Sequence, residues 1–136
     1  MTNKIRVSCD RKNLKVIRAF VTDTLAPAHL SEIILNQIIL AVDEICANLI
    51  IHSNKEDSRK NLCLTIFYNT QEIVIELEDN GIPFDQSNYK KPNILAKIKD
   101  GEKGGVGVAL VNRIMDKVEY SVQDSGNICR MYKYLV

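Results

Sequence analysis

The chain has no tryptophan and only three phenylalanines, and with 46% hydrophobic and 26% charged residues its composition is that of an ordinary soluble domain. Its formal net charge is +1, which gives no electrostatic reason to expect nucleic acid or an anionic membrane. Two histidines and four cysteines without a C-x-x-C pair make a poor metal set, and Cys9, Cys46, Cys63 and Cys129 each sit in apolar or strand-like surroundings. Buried, reduced thiols are expected. The first ten residues, MTNKIRVSCD, hold no apolar signal core, and no uninterrupted apolar run reaches transmembrane length. These absences point to a cytoplasmic chain with no membrane segment. Only three prolines and no low-complexity tract argue against a linker, and 136 residues suit a single domain over 1–136.

What is present is organised around Ile33 to His52, IILNQIILAVDEICANLIIH. It is long enough for about five helical turns and so apolar that most of its circumference must be covered. Its few polar residues are therefore informative. At about 100° per residue, Gln37, Glu44 and Asn48 fall within roughly 40° of one another, with Asn36 and Asp43 in the next row. Glu44 and Asn48, at i and i+4, can reach the same small object. Alone, the stripe reads equally well as the solvated side of an amphipathic helix. Ile33, Ile34, Leu35, Ile38, Ile39 and Leu40 are expected mostly in the core, with some left as a surface for a second copy.

The rest of the chain alternates strands and helices. Lys4 to Cys9 reads as a strand, and Asp10 can cap a helix that begins near Arg11 and ends by Pro27. Ser31 and Glu32 suit the start of the central helix. Leu62 to Tyr68 and Glu72 to Asp79, joined by three residues, form a hairpin, as do Val118 to Gln123 and Ile128 to Leu135. A lysine-rich segment from Gln86 to Lys103 has little strand character, and a short helix over Asn93 to Lys99 fits it. Helical periodicity resumes after the glycines at 104, 105 and 107. The order β-α-α-β-β-loop-α-β-β predicts an α+β two-layer sandwich, a mostly antiparallel mixed sheet with helices on one face.

Two more motifs carry chemistry. Asp79-Asn80-Gly81-Ile82-Pro83-Phe84-Asp85 leaves a strand end. A carboxylate there can accept from an exocyclic amine, and the glycine lets a flat ring approach the backbone, although D-x-G is also an ordinary turn. Gly104-Gly105-Val106-Gly107 opens a helix, whose free N–H groups suit phosphate, yet it matches neither the P-loop nor the dinucleotide-binding spacing.

An E-x-x-x-N helix, then D-x-G-x-P-F-D, then G-G-x-G before a helix, in that order, resembles the GHKL ATPase superfamily. AVDEICANLIIH, DNGIPFD and GGVGVALVNRIMDKVEY are most similar to the anti-sigma-factor serine kinases, over nearly the whole chain. The resemblance implies the GHKL fold, with ATP and Mg²⁺ as cofactors. It implies Asn48 as a Mg²⁺ ligand, Glu44 as the catalytic carboxylate that orients or deprotonates the attacking hydroxyl, and Asp79 as acceptor of the adenine amino group. Gly81 would leave room for the base. Gly104, Gly105, Val106 and Gly107 would wrap the phosphates, Lys103 would add charge, and the lysine-rich segment would be the ATP lid. The implied partners are an anti-anti-sigma (STAS-type) protein, phosphorylated on a serine, and a sigma factor, sequestered by a homodimer. A nucleotide-binding module that regulates a partner without phosphoryl transfer is the alternative. One departure stands out. Superfamily members commonly support the aspartate with a threonine near the last strands, where this chain reads Gly126-Asn127-Ile128-Cys129. Either Asn127 substitutes or a contact is missing.

Overall fold

The computed structural model describes residues 2–81, 103–123 and 126–135. Strand β1 (Thr2–Ser8) leads through a single 3-10 turn, Arg11–Asn13, into α1 (Leu14–Leu25). Asp10 caps that turn, its side chain accepting from the Lys12 N–H. The delay of one turn relative to the expected helix start follows from the cap serving the 3-10 turn. A second 3-10 turn, Ala26–Ala28, holds Pro27, and His29 then closes the connection in the left-handed region, at φ 54°.

Helix α2 (Glu32–Ala47) starts at Ser31, whose hydroxyl accepts from the Ile34 N–H, with Glu32 in the first turn. The helix continues as a π-helical stretch, Asn48–Ser53. Such widened turns often accompany functional sites, because they re-aim the side chains that follow. The continuous run Glu32–Ser53, interrupted by Asp43, Glu44 and Asn48, is long and apolar enough to cross a membrane by length and composition only, a measure that the core helix of a soluble protein also meets. Its apolarity has another use here. Ile38, Ala41, Val42, Ile45, Cys46, Leu49 and Ile50 are all buried in the core under the sheet.

Strands β2 (Asn61–Tyr68) and β3 (Glu72–Asp79) form the first expected hairpin. Helix α3 (Lys103–Ile114) and the hairpin of β4 (Lys117–Gln123) and β5 (Gly126–Tyr134) complete the chain. The five strands run in the order β1-β2-β3-β5-β4, every pair antiparallel among the described residues, so no parallel pair makes the sheet mixed. One sheet face is apolar by strict alternation. Leu62, Leu64, Ile66, Ile73, Ile75, Leu77, Cys129 and Met131 point into the core and meet Ile17, Val21 and Leu25 of α1, the buried side of α2, and Val111 of α3. The result is the two-layer α+β sandwich expected from the element order.

The central helix has one surplus. Ile38 is buried and Ile34, Leu35 and Ile39 pack against the core, while Ile33 is 72% and Leu40 43% exposed. All four cysteines are free, three of them buried, as expected of reduced thiols. Burial pushes the thiol of Cys9 up to about 11 and that of Cys129 up to about 12, leaving both protonated and unreactive.

Candidate nucleotide site

The end of β3 holds a buried polar cluster among the described residues. Asp79, the last residue of the central strand, is only 2% exposed. Its Oδ2 accepts from the Gly81 N–H at 2.9 Å and from Nδ2 of Asn54 at 3.0 Å. Asn54 is 0% exposed, and the same Nδ2 donates to the Leu49 carbonyl at 2.7 Å. That amide therefore joins the π-helical end of the central helix to the end of β3. Asn127, opposite Asp79 in the β3–β5 register, donates to the Gly81 carbonyl at 2.9 Å. So Asn127 braces the turn after Asp79, and the side chain that reaches the carboxylate is Asn54.

Gly81 is required at its position by contact. A Cβ there would collide with the Ser53 carbonyl and the Asn54 amide, one of them backbone that has nowhere to go. Leu49, Tyr120, Val122, Ile128 and Cys129 surround Asp79 as the lining of a cleft, giving the carboxylate a largely apolar neighbourhood. The cleft itself measures about 20 Å³, far less than a purine fills, so a base would enter beside Asp79 only as these walls move apart.

The phosphate-facing residues are arranged differently. Glu44 and Asn48 are both half-buried, and neither side chain has a hydrogen-bond partner among the described residues. Burial raises the carboxyl of Glu44 above the usual carboxylate value of 4.5, and the negative charge of Asp43 adds to the shift. Asp43 itself is turned toward α1, where it pairs with Arg18 at 2.6 Å. Across from Glu44 lies Gly107 of α3. A Cβ on Gly107 would strike Oε2 of Glu44, so the absent side chain is what lets the carboxylate rest against α3.

The glycine segment differs from the expected bend before a helix. Gly104, Gly105, Val106 and Gly107 all lie inside the first turns of α3, which starts at Lys103. Packing of α3 on α2 overrides the roughly 1 kcal/mol that each interior glycine costs a helix. The first N–H groups of α3 still lack acceptors within their own helix, as in any α-helix, so the donors expected for phosphate remain at this end. The side chains of Lys103 and Val106, the residues Ile82 to Asp85 of the aspartate motif, the lysine-rich segment expected as a lid, and the short helix expected over Asn93 to Lys99 lie outside the described residues.

Asp79 and Gly81 are thus joined by hydrogen bonding, Glu44 and Gly107 by contact, and the central helix with its π-helical end carries both Glu44 and the Leu49 carbonyl that Asn54 holds. Asn54, in the stretch between the central helix and β2, is not among the site residues that sequence reasoning gives. A usable signal existed. In the expected hairpin the start of β2 lies beside the end of β3, so the loop leading into β2 must pass Asp79.

No group of three His, Cys, Asp or Glu side chains able to hold a metal occurs among the described residues. The Asn48 amide, one helical turn beyond Glu44 and without a side-chain partner among the described residues, fits a hard cation that takes most of its oxygens from phosphate and water.

A layered α+β domain with an acid at a strand end, a carboxylate–amide helix and a glycine-bearing helix start defines a nucleotide-binding ATPase domain of the GHKL class. The model of the histidine kinase-like ATPase domain matches residues 7–133, and the chain belongs to that family. It is similar to the serine-protein kinase RsbW of Halalkalibacterium halodurans, 34% identical over 100 residues, covering 71% of this chain and 60% of that protein. The RsbW of Bacillus thuringiensis strain Al Hakam is 30% identical over 101 residues, with 71% and 61% covered. The matched region thus spans about 60% of the length of these curated relatives. A solved structure of the RsbU and RsbW domains of a Mycobacterium tuberculosis protein superposes on 98% of this chain with a TM-score of 0.70 at 12% identity, covering 32% of that chain, and supports the fold.

Proposed function

We propose that the chain is an ATP-dependent serine kinase of the anti-sigma type, which transfers the γ-phosphate of ATP to a serine of an anti-anti-sigma partner and sequesters a sigma factor. The observation that carries this reading is the juxtaposition of Glu44 with Gly107, which sets a half-buried acid of the central helix against the glycine-bearing start of α3. A partner serine brought to that place would meet a carboxylate whose raised proton affinity makes it a better base than an ordinary glutamate. Asp79 would accept from the adenine amine, and Gly81 would admit the ring. The first N–H groups of α3, at Lys103, Gly104 and Gly105, would take phosphate oxygens. Asn48 would hold Mg²⁺, which supplies neutralisation of phosphate charge when bound with ATP. Catalysis on this view is positioning and electrostatics.

The relatives named serine-protein kinase RsbW support the kinase reading, and the family supports nucleotide binding. A cytoplasmic homodimer belongs to the same proposal, with the exposed Ile33 and Leu40 as apolar surface available to a second copy. Incubation with γ-labelled ATP and a candidate anti-anti-sigma protein tests the proposal. Label on a partner serine, absent with Glu44→Gln, supports it. Saturable ATP binding without label on any candidate partner points instead to a regulatory module of the same fold.

A further inference from the structure

We infer that Asn54 is the positioning residue of the base-binding carboxylate, and through it a determinant of selectivity for a 6-amino purine; this rests on the nucleotide reading above. The orientation of the Asn54 amide is fixed by chemistry, since both neighbours of Nδ2, the Leu49 carbonyl and Oδ2 of Asp79, are acceptors. With the Gly81 N–H also on Oδ2, that oxygen has two donors. The second carboxylate oxygen has none among the described residues, which leaves it for a donor on the ligand.

The loop that carries Asn54 is held for this purpose. The Asn54 N–H reaches the Leu49 carbonyl at 3.0 Å, the Glu56 N–H reaches the Ile50 carbonyl at 2.8 Å, and the Asp57 N–H returns to the Asn54 carbonyl at 3.0 Å. Lys55 and Glu56 follow at φ 54° and 53°, a left-handed pair that non-glycine residues seldom adopt. The bidentate contact of Arg11 with Glu56 ties the turn to the 3-10 turn ahead of α1. Asn54 also leaves its own Oδ1 buried without a partner, against Gly81. A leucine of similar volume would avoid that orphan acceptor. An asparagine at this place is therefore explained by its two N–H donors, one on the Leu49 carbonyl at 2.7 Å and one on Asp79 at 3.0 Å.

The test compares two ligands that differ at the purine 6-position, ATP with an amine and inosine triphosphate with a carbonyl. Wild type, Asn54→Leu, Asn54→Ala and Asp79→Asn are titrated with both. The ratio of the two dissociation constants is the readout, because it does not depend on the fraction of protein that is folded. The wild type should prefer ATP, and both Asn54 variants should lose most of that preference, with ATP weakened about tenfold and inosine triphosphate little changed. The alanine variant covers the case in which leucine does not pack. An unchanged ATP preference in the folded Asn54 variants, or an equal loss for both nucleotides, overturns the inference and leaves Asn54 a structural residue. If Asp79→Asn keeps the wild-type preference, the base-anchor reading itself fails, a result distinct from failure at Asn54.

Discussion

The two ends of the candidate site are built in opposite ways. Around Asp79 the polar groups are tied to one another: Asn54, Gly81 and Asn127 share hydrogen bonds, one carboxylate oxygen stays open to a ligand, and a side chain on Gly81 would meet backbone. Around Glu44 and Asn48 the side chains are half-exposed with no protein partner among the described residues, and a side chain on Gly107 would meet only the tip of a flexible glutamate. The first end is preorganised and the second is completed by what binds there. Preorganisation favours selectivity for a base, whereas an uncommitted acid and amide favour chemistry on a charged group that arrives with its own ligands.

The largest expected effect separates the two ends by function. Glu44→Gln should slow phosphoryl transfer by about 10²–10⁴-fold, the usual range for loss of a general base, while ATP affinity stays within about threefold. Single-turnover transfer and a separate binding titration check this. Asp79→Asn should do the reverse, weakening ATP by roughly 10- to 150-fold through loss of a charge-assisted hydrogen bond of about 1.5–3 kcal/mol. If both variants damage binding equally, the division between the ends is wrong.

A pair of glycine substitutions sharpens the contrast. Gly81→Ala should cost about 1–3 kcal/mol in stability, because the new methyl group overlaps the Ser53 carbonyl. Gly107→Ala should leave stability within about 1 kcal/mol of wild type, since alanine is the better helix former and Glu44 can swing aside. It should nonetheless impair transfer. Urea denaturation and the transfer assay report the two quantities separately.

Proton affinity gives a smaller effect with a definite sign. Because burial and Asp43 raise the Glu44 carboxyl, activity should fall, as pH is lowered, through an apparent pKa above 4.5. In the folded state Glu44 holds its proton to higher pH than in the unfolded state, so its contribution to stability is present below the unfolded value and lost as pH rises through the folded one. Glu44→Gln should therefore raise the melting temperature at neutral pH. Asp43→Asn should move the acidic limb of the activity profile modestly to lower pH, and Arg18→Ala, which strips Asp43 of its partner, modestly to higher pH. The exposed Arg18–Asp43 pair itself should contribute only about 0–1 kcal/mol to stability.

Much of this was legible in the sequence because it depends on period and local chemistry. Alternation in LCLTIFY and EIVIELED fixed two core strands, Ser31 fixed a helix start, and the i, i+4 spacing brought Glu44 and Asn48 to one face. What escaped depends on tertiary packing. Regular helical periodicity does not foretell the π-helical stretch from Asn48, whose Leu49 and Ile50 are buried in the core. Propensity placed the glycines of 104–107 outside a helix, whereas contact with α2 carries α3 back to Lys103. Asn54 was hidden for a third reason: its partner lies 25 residues away, so only the fold joins them.

The most direct test of the two-ended site is residue-resolved amide NMR during titration of the chain with ATP and Mg²⁺. Saturable shifts should appear together at the Asp79–Gly81 turn, at the Glu44–Asn48 stretch and at the start of α3 around Gly107, with one dissociation constant. Saturable binding that leaves these three places unmoved, and perturbs the outer sheet face instead, would contradict the account.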